Sequence, residues 1–243
     1  MKGFLNMKKI LCAFLACAIC ATTAIGLSGC NNSSNTTQPG YEVPVTEPDL
    51  KNDEFGFFIL NKSELMITKY LGSSKDVVIP DTYDNYTVAV IGRSVFNDKD
   101  INSVVVPDSV REIQDYAFAS NKNLKSVTLS KNLKTLGSNV FYHCTGLENI
   151  ELPASIEDFG IYTFSASGLK SITIPESTTF TTIKDYCFYQ CQQLTEVNLP
   201  STITNIADNA FADCPNPITI KAKEGSYAKS YATANNIKFE AVK

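Results

Sequence analysis

His143 stands beside Cys144, and as the only histidine of the 243-residue chain it is the one imidazole able to activate a thiol. Nucleophilic catalysis needs the thiol and the base to meet, with a third group orienting the base. Adjacent side chains usually point to opposite sides, and Cys144 falls in an apolar column, so the pair reads as structural. Glu151 and Glu196 are the alternative chemistry, a pair of acids for glycan hydrolysis. They fall two repeats apart, which at about 4.8 Å per repeat separates their backbones by about 10 Å. Glycosidase carboxyl groups sit roughly 5–9.5 Å apart, so distance admits the pair, but an open face that excludes no water counts against it. Asp98-Lys99-Asp100-Ile101-Asn102 begins like a calcium loop, without the glycine at position six or the distal glutamate. Cys187 and Cys191 lack a second ligand pair at zinc spacing. No glycine-rich phosphate loop occurs. The reading is therefore non-catalytic, with no cofactor and no metal.

The elements that carry these residues come from a repeat. Phe96, Phe118, Phe141, Phe164, Phe188 and Phe211 follow one another at intervals of 22 to 24 residues, and a fixed period in the low twenties marks a repeat architecture. Before each phenylalanine the same frame recurs. Two apolar residues alternate with polar ones and then meet a proline, as in Val104-Val106-Pro107, Ile172-Ile174-Pro175 and Val197-Leu199-Pro200, with Ser130 in place of the proline in one unit. Period-two alternation predicts a strand with one buried face, which proline stops. A second apolar pair at spacing three follows (Val110/Ile113, Leu133/Leu136, Ile156/Phe159, Phe180/Ile183, Ile203/Ile206). A short helical turn is predicted next, opened by Asp115, Ser138, Asp185 or Asp208 as capping residues and burying the phenylalanine. A lone repeat cannot bury enough to offset the ordering of its backbone, so the copies must fold as an array. Residues from Phe55 to Ile79 alternate as a hairpin and predict an N-terminal cap; Gly225-Ser226 opens a helix through Tyr231, and Ile237-Lys238-Phe239 a last strand, as the C-terminal cap.

Ahead of this array, Met7-Lys8-Lys9 and an apolar run from Ile10 to about Ile25 suit the charged start and core of an export signal. The run is short of the roughly 20 residues that span a bilayer. Leu27-Ser28-Gly29-Cys30 resembles the lipobox of bacterial lipoproteins, which implies lipidation of the Cys30 sulfur and cleavage before it. Residues 1–29 are then a signal peptide, 30–53 a disordered tether rich in Asn, Ser, Thr and Pro, and 54–243 the repeat domain with its caps. Removal of Lys2, Lys8 and Lys9 takes the formal charge from −4 to −7. That excess of acid argues against a nucleic-acid partner, whose phosphates demand Lys and Arg. Of eight cysteines, Cys144, Cys187, Cys191 and Cys214 belong to the repeats. Three of them lie three residues after a phenylalanine, where a small buried residue is wanted. Buried thiols are the reading that fits; Cys191 with Cys214 is the pair that stacking would bring close enough for a disulfide.

Leu124-Lys125-Ser126-Val127-Thr128-Leu129 and the later Leu136-Gly137-Ser138-Asn139-Val140-Phe141-Tyr142-His143-Cys144 resemble the BspA-type leucine-rich repeats of bacterial surface proteins. The resemblance implies a leucine-rich repeat solenoid, mainly β with short helical turns: a curved right-handed stack of about six 22–25-residue repeats between the two caps. It also implies a module held at the outer face of a bacterial membrane through lipidated Cys30, attaching to host or microbial surface proteins or glycans. The exposed strand columns are the candidate binding face: Ser103, Ser126, Thr128, Asn149, Glu151, Ser171, Thr173, Glu196 and Asn198. Tyr116, Tyr162 and Tyr186 form another column, two residues before the phenylalanine, assigned to packing on the convex side, with a tyrosine ridge that binds glycans or proteins as the alternative. The rival readings are the cell-envelope glycan hydrolase and a purely structural spacer.

Overall fold

A computed structural model describes residues 47–242 with the exception of Thr178. The export signal, the lipobox and most of the tether lie outside the described residues. The strand-and-proline pattern forms a parallel ladder of three-residue strands. Asp76–Val78, Ser103–Val105 and Ser126–Thr128 pair in register, with Val77, Val104 and Val127 aligned. The ladder resumes with Ser171–Thr173, Glu196–Asn198, Thr219–Lys223 and Lys238–Val242. The pair at spacing three is itself a second ladder. Ile91, Ile113, Leu136 and Phe159 align through two-residue stretches of parallel pairing, as do Ile183 and Ile206 further on.

Between the ladders and the next repeat, the predicted helical turn is absent. Ser94, Tyr116, Asn139, Tyr162 and Tyr186, two residues before a phenylalanine, all have φ between 55° and 58°. Asp98, Ser120, His143, Ala166, Gln190 and Asp213, two residues after one, lie between 54° and 62°. Left-handed residues at both places break a helix. They turn alternate N–H groups along the stack instead: Tyr116 to the Ser138 carbonyl at 2.9 Å, Phe118 to Val140 at 3.1 Å and Ser120 to Tyr142 at 2.8 Å. A helix would have spent those donors inside its own repeat. The capping role changes with it, since the Asp115 carboxylate accepts from the Ser138 N–H of the next unit at 2.8 Å.

The phenylalanines form one continuous column. From Phe96 to Phe211, successive rings lie 5.1–5.7 Å apart and within 11° of parallel. Phe55 and Tyr70 close the column against Phe96 at one end, and Tyr231 closes it against Phe211 at the other. The N-terminal cap pairs Phe55–Ile59 antiparallel with Glu64–Tyr70 and, on the outer edge, with Leu50–Lys51. The folded unit thus begins inside the segment expected as tether. The loop Asp81–Val88 joins this cap: Thr82–Tyr83 folds back on Tyr86–Ile91 through Asp84 and Asn85, both at positive φ, the geometry of a two-residue hairpin. Tyr83 then stacks on Phe57 at 4.6 Å. At the other end the helix is Tyr227–Ala234, with Ser226 before it and Ala228, Tyr231 and Ala232 buried.

Both ladders are interrupted once, in neighbouring repeats. Residues 149–151 form no strand; Ile150 remains buried, but the segment's backbone reaches its neighbours only next door, where the Lys170 N–H meets the Glu148 carbonyl at 3.0 Å. The second ladder stops between Asp158–Phe159 and Thr182–Ile183, where the inserted residues before Phe180 fall. The two inserted residues coincide with the break in the second ladder only, because Ser171–Thr173 and Glu196–Asn198 pair in register across the same insertion.

Candidate recognition surface

The candidate face divides into two groups. Ser126 lies beside Ser103, and Thr128 beside Val105, on the first stretch of ladder. On the second stretch, Glu196 lies beside Ser171, and Asn198 beside Thr173. Asn149 and Glu151 stand exposed between the groups and are joined to neither. The first group borders two exposed valines, Val78 and Val105, 67% and 43% accessible, an apolar edge that alternation alone does not mark. The second is tied together: Asn198 donates to Thr173 at 3.1 Å and to Glu196 at 3.0 Å, and Lys221 pairs with Glu196 at 2.8 Å. Hydrogen bonds from Lys221 and then Asn198 hold the Glu196 carboxyl below its ordinary range. A general acid in glycan cleavage needs the opposite shift. Glu196 is therefore equipped as a fixed anion, and its proposed partner Glu151 sits off the ladder.

The other chemical candidates resolve into structure. Cys144 is fully buried, its thiol lies 3.2 Å from the Phe118 carbonyl, and desolvation pushes its pKa up to about 12. The His143 ring packs against Tyr142 at 5.9 Å. The two side chains do not make a dyad. In the calcium-like loop, Asp100 is engaged by Lys75 and Asn123, and the Lys99 and Ile101 N–H groups donate to Asn121. Among the described residues no three His, Cys, Asp or Glu side chains are grouped to hold a metal.

The cysteines of the repeats are free thiols. Cys144, Cys191 and Cys214 share a duty with Asn121: in these four repeats the residue three after the phenylalanine bonds the phenylalanine carbonyl one repeat earlier, while Ser167 in the same column meets the Cys191 sulfur at 3.6 Å. Asn121 reaches Phe96 at 2.7 Å, Cys144 reaches Phe118, Cys191 reaches Phe164 at 3.2 Å, and Cys214 reaches Phe188 at 3.1 Å. A thiol is a small hydrophobe with one weak donor, and that carbonyl has no strand to pair with.

The tyrosine column is less buried than packing alone would make it. The Tyr162 and Tyr186 rings stack at 4.8 Å, and Tyr189, which the repeat spacing does not single out, stands edge-on to them at 6.3 and 5.4 Å. All three are half-buried. The Asp213 carboxylate beside Tyr189 raises that phenol, while burial, then Tyr186 and Asp185, raise Tyr162. Tyr116, in the same column, lies beneath the Arg93 guanidinium at 5.6 Å.

Comparison with known proteins agrees with this architecture. The family model described as the BspA type leucine rich repeat region matches residues 89–232 in six copies. A leucine rich repeat protein of T. pallidum superposes with a TM-score of 0.59 at 21% identity, over 79% of this chain and 99% of that one. A leucine rich cell surface protein of Faecalibacterium prausnitzii gives 0.61 at 27% identity, over 71% of this chain and 54% of its own. The pneumococcal vaccine antigen PcpA gives 0.59 at 17% identity, over 77% and 48%. The chain thus spans about half the length of the latter two. No curated protein matches the sequence.

Proposed function

The chain belongs to the BspA-type leucine-rich repeat family, and from that membership we propose a lipid-anchored recognition module of the bacterial cell surface. It binds protein or glycan partners through its strand-lined face and performs no chemistry of its own. The observation that carries this reading is the paired, solvent-facing row of hydroxyl, amide and carboxylate groups on the first ladder, Ser126 and Thr128 in one group, Thr173, Glu196 and Asn198 in the other. Side chains in parallel register present donors and acceptors at a constant spacing, which suits extended partners. The F. prausnitzii relative is described as a cell surface protein, in keeping with export. A diacylglyceryl group on Cys30 would supply the two chains that stable anchoring requires.

Two measurements test this. Cells carrying the full-length chain are offered immobilised matrix proteins and glycans. Thr128→Arg with Thr173→Arg adds bulk and charge to the face without touching the core and is expected to abolish whatever binding the parent shows; full retention removes the face from the proposal. Separately, Cys30→Ser is expected to move the protein from the membrane to the soluble fraction. A variant that still sediments with lipid removes the anchor.

A further inference from the structure

The residues three and two before each phenylalanine take no part in the core, yet at two repeats they are the same pair, Asp115-Tyr116 and Asp185-Tyr186. At the first pair a cation is already in place. Arg93, at the equivalent of Asp115 one repeat earlier, lies 5.6 Å from the Tyr116 ring centre with a guanidinium nitrogen 3.9 Å from the Asp115 carboxylate. At the second pair the position of Arg93 is taken by Ile161, 42% exposed. Asp185 consequently has no basic partner among the described residues, and neither has Asp213, beside Tyr189; Lys184 is held by Asp158 at 2.6 Å. The second pair also carries more aromatic surface, because Tyr162 stacks on Tyr186 and Tyr189 stands perpendicular to both.

We propose that Tyr162, Tyr186 and Tyr189, flanked by Asp185 and Asp213, form a second interaction surface that takes an arginine or lysine side chain of a basic polypeptide. A ring face attracts a cation through its quadrupole, and guanidinium does so more often than ammonium. A carboxylate beside the ring fixes the cation's position, as Asp115 does for Arg93. Two unneutralised carboxylates next to three half-exposed rings are complementary to a positive partner and repel an acidic one. This surface lies on the turn segments, apart from the strand-lined face, and stands whether or not that face binds a partner.

The probe is a fluorescently labelled ten-residue peptide with four arginines, titrated into the detergent-solubilised full-length chain, with a glutamate peptide and a neutral oligosaccharide alongside. The arginine peptide is expected to bind, more weakly as salt rises, and the glutamate peptide not to bind. Tyr186→Ala and the Asp185→Asn/Asp213→Asn pair should each weaken binding by about fivefold or more, the share of one cation–π or ion-pair contact. Ile161→Arg guards against misfolding as the explanation, because it reproduces the arrangement that the fold tolerates at Arg93. It should fill the surface from within and lower affinity to the same extent while leaving the thermal midpoint unchanged. Failure of the arginine peptide to bind, binding indifferent to all three variants, or equal competition by the neutral oligosaccharide would each overturn the proposal, the last by making the rings a glycan platform.

Discussion

Replacing Phe141 with alanine removes a fully buried ring from the middle of the column, between Phe118 at 5.7 Å and Phe164 at 5.6 Å. A buried Phe→Ala change costs about 3–5 kcal/mol, depending on how far the site can collapse. Here it can collapse little. The backbone on either side is pinned by Phe118 N–H to Val140 at 3.1 Å and Phe141 N–H to Thr163 at 2.8 Å, so the rings above and below cannot slide together. The cost belongs at the upper end, about 4–5 kcal/mol, because this ring stacks on both of its faces. Phe211→Ala is the internal control. Its ring is 8% exposed and stacks on one side only, with Tyr231 tilted at 6.3 Å on the other. That variant should cost about half as much, roughly 2–3 kcal/mol. Urea unfolding followed by circular dichroism reads both. With a slope near 2–3 kcal/mol per molar, the Phe141 variant should unfold about 1.5–2 M earlier and the Phe211 variant about 1 M earlier. Equal shifts in the two variants, or a Phe141 shift below about 0.5 M, would refute the idea that the column is continuous and stiff.

Three further outcomes follow from the geometry. Burial pushes the thiols of Cys144 and Cys191 up to about 12 and that of Cys187 higher, while Cys214 is half-buried; iodoacetamide at pH 8 should label Cys214 first and the other three only after unfolding, and native labelling of Cys144 would contradict the column. Hydrogen bonds from Arg111, at 2.7 and 3.0 Å, and then from Asn61 lower the Glu64 pKa from 4.5, so the stabilisation is present above that value and fades as pH falls through the folded pKa. Glu64→Gln should thus cost under about 1 kcal/mol at pH 7, solvent screening included, and nothing at pH 2; an equal cost at both would count against the pair. A Cβ on Gly160 would sit 2.2 Å from the Ser138 N, which is backbone and cannot step aside, so Gly160→Ala should lower stability by about 3 kcal/mol, near the top of the overpacking range. An unchanged melting curve would mean that the repeats stack less closely.

What is legible in the sequence is what recurs in it. The phenylalanine interval reveals the column because six rings at one period have one simple packing solution, and the Val-x-Val-Pro alternation reveals the first ladder because its buried face repeats every second residue. The turn misleads for a physical reason. Burial at a residue, its neighbour and a third three places on is what a helical face looks like, but the same spacing arises when left-handed residues such as Tyr116 and Ser120 bracket Phe118. Tyrosine and serine seldom take that conformation, so nothing in their identity announces it. The break at Asn149–Glu151 is equally hidden, because Ile150 keeps its place in the core pattern while the backbone around it leaves the ladder. On the candidate face, membership of each column can be read from alternation; its division into two groups cannot, being a property of strand pairing.

The columns differ in how freely they can vary, and this bears on where recognition is written. In four repeats the residue three after the phenylalanine must fit the interior and bond the carbonyl of the preceding repeat, a role taken by Asn121, Cys144, Cys191 and Cys214. Ser167 meets Cys191 instead, and Lys99 of the first repeat is exposed. The phenylalanine itself must match its two neighbours. A residue three before it answers to no such demand, and the six repeats place Arg93, Asp115, Ser138, Ile161, Asp185 and Asp208 there on one recurring backbone path. Basic, acidic, hydroxyl and aliphatic chemistries succeed one another at a position whose surroundings barely change. Where two neighbouring repeats supply opposite charges, as Arg93 and Asp115 do, they satisfy each other. Where they do not, as at Ile161 and Asp185, the unmatched carboxylate and the adjacent rings are left facing solvent, and a stack of near-identical units acquires one place unlike the rest.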